Sequence, residues 1–144
     1  MNELTELRVF DYTTPSPITV QWHERSGRIF EILELKKIRH LPVLDGSKIV
    51  GLISERDMKH LSYYNERDCD VRACDLMSKD PFVVYMNDPL DEVALKMSEK
   101  KIGSAIVQDS SGCLVGIFTS IDALNALIDV VRGDVEVDNE MCYQ

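Results

Sequence analysis

The sequence lacks the patterns that would place this chain across a membrane, in a secretion pathway or on nucleic acid. No apolar run approaches the roughly 20 residues that a transmembrane helix needs, and residues 1–8 lack the basic and then apolar order of a signal peptide. The 16 basic residues form no cluster or stripe, and 25 acidic residues bring the net charge to −9. We therefore expect a cytoplasmic protein with neither a membrane nor a nucleic acid as partner.

Metal-binding and catalytic arrangements are also missing. The cysteines and histidines are Cys69, Cys74, Cys113, Cys142, His23, His40 and His60. They include no CxxC pair and no metal-ligand spacing, so we expect reduced thiols. Catalysis would need a nucleophile with its base, two carboxylates in one cleft, or a metal set. The sequence shows none of these, so we expect no enzyme, no catalytic residue, no metal and no cofactor.

What the sequence does contain is one motif in two copies. Residues 51–57 read GLISERD, and residues 116–122, which begin 65 positions later, read GIFTSID. Each copy predicts the end of an apolar strand, a hydroxyl residue, and a carboxylate three positions further on, in the first turn of a helix. The first turn of a helix has unpaired backbone N–H groups at the positive end of the helix dipole, so it favours the binding of an anion.

The residue types in the motif suit a phosphate and a sugar. Ser54 or Thr119 can cap the helix or donate to a phosphate oxygen, and Asp57 or Asp122 can accept hydrogen bonds from ribose hydroxyls. The simpler interpretation is that Ser54 and Thr119 are ordinary N-caps and that the carboxylates only stabilise the helix dipole. Two copies of the motif weaken that interpretation. A local basic pocket for a small phosphorylated ligand is compatible with an acidic protein.

The repeat extends well beyond the motif. Pro17 matches Pro81 at an offset of 64, and one extra residue in the turn at 109–112 accounts for the shift to 65. Each half predicts a β-α-β-β-α unit of roughly 60 residues, too small to bury much surface alone. We expect a mixed α/β (α+β) fold divided into an N-terminal helical extension, two repeats and an acidic tail. Their bounds are 1–8, 9–66, 67–132 and 133–144.

Local patterns predict the elements of the first repeat. Two prolines favour a loop over residues 9–17, and the helix after it is expected to start near Glu24 with Ser26 as its cap. The remaining predictions are strands at 18–22, 40–44 and 48–53, helices at 24–37 and 55–64, and a polar linker at 65–70.

Taken together, these residues resemble a known family, the paired CBS domains, named after cystathionine β-synthase and also called a Bateman module. The matching segments are 11–20, 38–43 and 51–57 in the first half and 75–84, 102–107 and 116–122 in the second. The resemblance implies tandem repeats related by a pseudo-twofold axis, two ligand clefts between them, and pairing into a disc-shaped homodimer. It also implies an adenine nucleotide or a relative such as S-adenosylmethionine as ligand, with a sensing role.

The resemblance also implies ligand-binding residues. Asp57 and Asp122 match the ribose-binding carboxylates, and residues lining the adenine pocket match Ile18, Pro42, Phe82 and Ile106. For the apolar members, core packing is the alternative. Arg56 is placed to meet a phosphate, with a solvated surface arginine as the alternative, and the second copy has Ile121 there. The resemblance makes His40 a candidate phosphate contact, with a surface or packing histidine as the alternative, and the second copy has Gly103-Ser104 in place of Arg39-His40. The expected ligand-binding set is Ile18, Arg39, His40, Pro42, Ser54, Arg56, Asp57, Phe82, Ser104, Ile106, Thr119 and Asp122.

Two functional hypotheses follow. The first is a free-standing regulatory module that binds an adenosine-containing ligand of the AMP, ADP or ATP class, or one like S-adenosylmethionine, in the cleft between the repeats and signals to an effector protein. The second is a ligand-free dimerisation or interaction scaffold. Intact Ser54, Arg56 and Asp57 favour the sensor, whereas Ile121 and Gly103 favour loss of binding in at least one copy.

Overall fold

The computed structural model describes residues 7–15, 18–64 and 71–135, without the side chains of 60–64. In chain order the elements are a 3-10 helix at Val9–Tyr12, β1 (Thr14–Pro15), β2 (Val20–Gln21), α1 (Ser26–Lys36), β3 (His40–Asp45), β4 (Lys48–Ser54), α2 (Glu55–Tyr64), α3 (Ala73–Leu76), β5 (Ser78–Lys79), β6 (Val83–Tyr85), α4 (Leu90–Lys100), β7 (Ser104–Gln108), β8 (Leu114–Thr119) and α5 (Ser120–Arg132). The predicted mixed α/β fold and the repeated β-α-β-β-α order are confirmed.

The chain forms two compact units, each built on one four-stranded sheet. The first sheet has the order β2-β3-β4-β5, with β2 parallel to β3 and the other neighbours antiparallel. The second sheet has the order β1-β8-β7-β6, with β6 parallel to β7 and β1 antiparallel to β8. Each parallel pair is joined through a helix, α1 or α4, as a parallel connection requires.

Each sheet takes one edge strand from the other half of the sequence. β1 belongs to the first half but pairs with β8, placing Thr14 opposite Ile117. β5 belongs to the second half but pairs with β4, placing Ser78 opposite Leu52. The unit that contains β1 is therefore discontinuous in sequence, and both edge strands are only two residues long.

Apolar side chains on α1, β3 and β4 form the core of the first unit. Ile29 and Leu33, one helical turn apart, bury the inner face of α1, and Leu41, Val43 and Ile53 fill the centre of the sheet. Burying side chains of this size contributes about 1.5–3 kcal/mol each. This packing fixes the end of β4 and the start of α2, where the duplicated motif lies.

The predicted start of α1 was wrong. The helix begins at Ser26, which is buried, and Arg25 is its N-cap residue without a side-chain cap. The reason is that the helix end is satisfied by backbone from the second half, since Ser26 N–H donates to the carbonyl of Val71 (2.9 Å). The prediction of a plain loop over 9–17 also missed the 3-10 helix and β1. The other predicted elements of the first repeat are present, with β2 shorter than expected.

Several predictions fall outside the described residues. They concern the N-terminal helical extension up to residue 6, the linker 65–70 and the acidic tail from residue 136. Where the chain is described, α5 ends at Arg132 and is followed by Gly133 with a φ of 73°, a left-handed conformation that suits glycine.

A tyrosine in the segment before β1 forms a hydrogen bond with α5. Tyr12 Oη donates to Asp129 Oδ2 at 2.9 Å, and burial together with this carboxylate raises the pKa of Tyr12 to about 12. Removing the hydroxyl with Tyr12→Phe should lower the free energy of unfolding by about 1.5–3 kcal/mol, the range for a hydrogen bond to a charged group. Urea unfolding at pH 9 would measure it.

The same contact gives a pH dependence. Because the folded-state pKa lies above the usual value near 10, the contribution of Tyr12 is complete below about pH 10 and is lost as the pH rises towards about 12. Wild type should lose more stability than Tyr12→Phe across that interval. Tyr85→Phe, which alters a 52% exposed tyrosine in the same unit, is the matched control. Equal losses in wild type and Tyr12→Phe would contradict the assignment.

Candidate functional site

The first copy of the motif forms a reciprocal capping box at the junction of β4 and α2. Asp57 Oδ2 accepts hydrogen bonds from Ser54 N–H (2.8 Å) and Ser54 Oγ (2.9 Å), and Ser54 Oγ accepts one from Asp57 N–H (3.2 Å). Within the described part of the chain, no other donor contacts the Asp57 carboxylate. Its Oδ1 therefore accepts no hydrogen bond from any of the residues that the structure describes.

The second copy has the same box and one further donor. Asp122 Oδ2 accepts from Thr119 N–H (2.8 Å) and Thr119 Oγ1 (3.1 Å), and Asp122 N–H donates to Thr119 Oγ1 (3.3 Å). Thr14 of β1 also donates to this carboxylate, at 3.2 Å from Oδ1 and 3.4 Å from Oδ2. Asp122 thus holds an edge strand as well as a helix end, and neither carboxylate oxygen is free of a protein donor.

The backbone N–H groups that were expected to bind an anion mostly donate hydrogen bonds within the protein instead. At the start of α2, the N–H groups of Ser54 and Asp57 are bound within the box, and Glu55 N–H donates to the carbonyl of Arg39 (2.8 Å). At α5, Ser120 N–H donates to the carbonyl of Gly103 (3.0 Å) in the same manner. An anion at either helix start must therefore be held mainly by side chains.

The structure brings the polar residues predicted for the first copy together. His40 lies directly opposite Ser54 in the ladder between β3 and β4, and the carbonyl of Arg39 contacts the first residue of α2. In the second copy Ser104 begins β7 after Gly103, whose carbonyl also accepts from Ser120 Oγ (3.2 Å). We call the first-copy group of Arg39, His40, Ser54, Arg56 and Asp57 the α2 cradle.

The two helix starts differ in charge. Near the start of α2, Arg39 Nε lies 4.0 Å from the Glu55 carboxylate, and Lys59 Nζ lies 3.9 Å from it. Arg56, the residue after Glu55, is exposed. The side chains of Arg39 and Lys59 are 77% and 76% exposed, so these ion pairs hold neither cation firmly. At the start of α5 the positions of Arg39, Arg56 and Lys59 are filled by glycine, isoleucine and leucine.

The family model that matches this sequence is the CBS domain, and it matches twice, over residues 9–63 and 73–129. The chain belongs to the CBS domain family. The CBS domain pair of protein MJ0100, solved in complex with 5′-methylthioadenosine and S-adenosyl-L-methionine, is 29% identical with a TM-score of 0.73, over 84% of this chain and 95% of that one. CBSX2 in complex with AMP is 28% identical with a TM-score of 0.71, over 87% and 98%.

One curated relative of this CBS domain pair is L-aspartate semialdehyde sulfurtransferase of Methanocaldococcus jannaschii. It is 30% identical over 115 residues, which are 79% of this chain and 22% of that protein. The chain spans only about a fifth to a quarter of the first curated relatives that it matches. No helix in the described ranges is both long enough and apolar enough to cross a membrane.

The apolar residues predicted to line the ligand site of this CBS domain pair are mostly packed in its cores. Pro42 and Ile106 are fully buried in β3 and β7, so only their backbone groups or their packing can influence a ligand. Ile18 and Phe82 are half-buried members of the first unit, and Ile18 packs against its core.

Sequence reasoning missed two residues that shape these helix starts. Thr14 donates to Asp122 only because β1 pairs with β8, far away along the sequence. At the repeat offset of 64, Thr14 corresponds to Ser78, which also carries a hydroxyl group. This match between the two copies was the one sign in the sequence that position 14 takes part in the site. Lys59 follows Arg56 by three positions on α2, a spacing that puts both cations on one side of the helix.

Proposed function

We propose that this CBS domain pair is a regulatory module rather than a catalyst, and that it senses an adenosine-containing ligand of the AMP, ADP or ATP class at the α2 cradle. One observation carries the proposal: among the described residues Asp57 Oδ1 accepts no hydrogen bond and Arg39 and Lys59 lie 4.0 and 3.9 Å from the neighbouring Glu55, whereas both oxygens of Asp122 contact Thr14. The second copy has Gly103, Ile121 and Leu124 at the positions of Arg39, Arg56 and Lys59. A ribose offers donors to a carboxylate, and a phosphate needs cations.

The ligand class is supported by two relatives. MJ0100 is described with 5′-methylthioadenosine and S-adenosyl-L-methionine, and CBSX2 with AMP, so adenosine is the part common to all three ligands. What distinguishes the α2 cradle is its cationic surroundings, which favour a phosphorylated form over a sulfonium compound. In this proposal the ligand binds two arrangements of the module with unequal affinity and so shifts the equilibrium between them. An effector protein then binds the arrangement that the ligand favours.

Isothermal titration with adenosine, AMP, ADP, ATP and S-adenosylmethionine tests the proposal. We expect saturable binding that is tighter for AMP than for adenosine. Arg56→Ile, which gives the first copy the residue that the second copy has, should weaken nucleotide binding by about tenfold or more, as expected for loss of a charged hydrogen bond. The melting temperature should not change, because Arg56 is exposed.

Arg28→Ile is the control for this titration, since it removes another exposed arginine, from α1 of the same unit. It should leave nucleotide binding unchanged. Tighter binding of S-adenosylmethionine than of any nucleotide would instead identify a sensor of that compound. The absence of binding by every ligand, with a flat thermal-shift screen, would overturn the sensor proposal.

The second candidate function is a ligand-free interaction scaffold. It is favoured by α5, whose second-copy motif is fully engaged by protein donors and whose outer face is apolar. The titration above separates the two functions, because a scaffold predicts no saturable heat with any of the five ligands.

A further inference from the structure

A glutamate lies among the cations at the start of α2. Glu55 is the first residue of the helix, and its two carboxylate oxygens have different partners. Oε2 lies 4.0 Å from Arg39 Nε, and Oε1 lies 3.9 Å from Lys59 Nζ. The carboxylate therefore bridges two of the cations that a phosphate would need. Both distances are long for an ion pair between exposed side chains, so an arriving anion can replace the carboxylate at little cost.

The backbone fixes this arrangement. Glu55 N–H donates to the carbonyl of Arg39 at 2.8 Å, which holds the residue before β3 against the first turn of α2. Lys59 follows Glu55 by four positions, so the two side chains lie on the same side of the helix, in the order that favours their attraction. Because the hydrogen bond belongs to the main chain, a change in the side chain of Glu55 should leave Arg39 in place.

Helix stability alone does not account for an acid at this position. A carboxylate in the first turn stabilises a helix through its dipole, but Asp57 already supplies one in α2. The second copy has Ser120 at the corresponding position, and α5 begins with the same capping box. That copy also lacks the three cations, whose positions hold Gly103, Ile121 and Leu124. Of the two copies, the acid is therefore found in the one that carries the cations.

Positive and negative charges around the α2 cradle are nearly balanced. The cations are Arg39, Arg56 and Lys59, and the carboxylates are Glu55 and Asp57. The three cations therefore exceed the two carboxylates by one charge. A phosphate monoester carries a charge of about −1.5 to −2 at neutral pH, and each further phosphate group of ADP or ATP adds about one negative charge. A second and a third phosphate thus bring negative charge that the cations cannot neutralise and that Glu55 repels.

We propose that Glu55 is a specificity-determining residue, which raises the selectivity of the α2 cradle for AMP over ATP. A phosphate that binds both Arg39 and Lys59 must displace the Glu55 carboxylate, and each additional phosphate group meets more repulsion from it. The inference rests on the proposed function, because it assumes that a nucleotide binds at the cradle. It goes beyond that function by assigning the discrimination between nucleotides to one side chain.

Isothermal titration of wild type and Glu55→Gln with AMP, ADP and ATP, in buffer containing EDTA, tests the inference. The substitution removes the charge and keeps the size of the side chain. Because the Coulomb energy grows with the charge of the ligand, the variant should bind AMP about threefold and ATP about tenfold more tightly than wild type does. The gain for ATP should fall below about threefold when NaCl is raised from about 0.05 M to about 0.5 M, since salt screens exposed charges.

Two further variants are controls. Glu31→Gln removes another exposed acid, which pairs with Arg28 at 3.0 Å on α1 of the same unit, and it should leave nucleotide binding unchanged. Glu55→Asp keeps the charge and should keep the selectivity of wild type. If Glu55→Gln leaves the ratio of ATP to AMP affinity unchanged, or weakens ATP binding, the inference is wrong while the proposed function stands. If wild type binds none of the three nucleotides, both are overturned.

Discussion

Asp57→Asn is expected to weaken binding of the adenosine-containing ligand at least about 30-fold, whereas Asp122→Asn should weaken it less than about threefold. The reason is the difference in occupation of the two carboxylates. Asp57 Oδ1 has no donor within the described residues and can accept from a ribose hydroxyl, whereas both oxygens of Asp122 contact Thr14. Titration of both variants with the tightest ligand of the series measures the difference.

The pair of variants controls for folding. Each replacement alters the same kind of capping box, and an asparagine oxygen can still accept the N–H of Ser54 or Thr119. Any loss of stability should therefore be small, and somewhat larger for Asp122→Asn because Asp122 also accepts from Thr14 of β1, which thermal unfolding followed by circular dichroism would check. Equal loss of binding in the two variants, or loss with Asp122→Asn alone, would show that the α2 cradle is not the principal site.

Gly116→Ala should produce the largest loss of stability among single alanine substitutions at glycine, about 3 kcal/mol in the free energy of unfolding. An added Cβ would meet the backbone carbonyl of Thr14, with Thr13 Cγ2 at 2.9 Å and the Thr14 carbonyl carbon at 3.0 Å. Backbone in a paired strand cannot rotate out of the way, so β1 must move away from β8. Urea unfolding followed by circular dichroism provides the measurement.

Two other glycines supply controls for this substitution. Gly51 occupies the same place in the first copy, but its added Cβ would meet the side chain of Met77, including Cγ at 2.7 Å, so Gly51→Ala should cost less, about 1–2 kcal/mol. Gly27 in α1 has no atom within 4 Å, and Gly27→Ala should stabilise the helix by about 0.5–1 kcal/mol. A similar cost for Gly116→Ala and Gly51→Ala would contradict the role of the β1 backbone.

The parts of the fold that follow from local pattern were predictable from the sequence. The helices α1 and α2 and the hairpin of β3 and β4 have clear apolar periodicity, and the duplication extends their prediction to the second half. The hydrogen bond between hydroxyl and carboxylate in each motif was equally predictable, because a spacing of three residues at the start of a helix brings the two side chains together.

What local pattern could not predict was the contribution of distant segments. Ser26 has the sequence signature of an N-cap, but the carbonyl of Val71 satisfies its N–H, so the serine is buried inside the helix instead. The contact of Thr14 with Asp122 depends on a strand pairing across more than 100 residues. For the same reason the sequence could not show that the two carboxylates, alike in motif, differ in how many donors they already have.

The reciprocal edge strands also determine whether one repeat could complete its sheet alone. A single ancestral repeat that kept this topology would have had an unpaired strand at one edge of its sheet and a short unpaired segment before its own first strand. Two separate ancestral molecules would have satisfied both by lending these segments to each other, as β1 and β5 do in this chain. A repeat of this topology therefore completes its sheet only with a second repeat, whether that repeat belongs to another molecule or, as here, to the same chain.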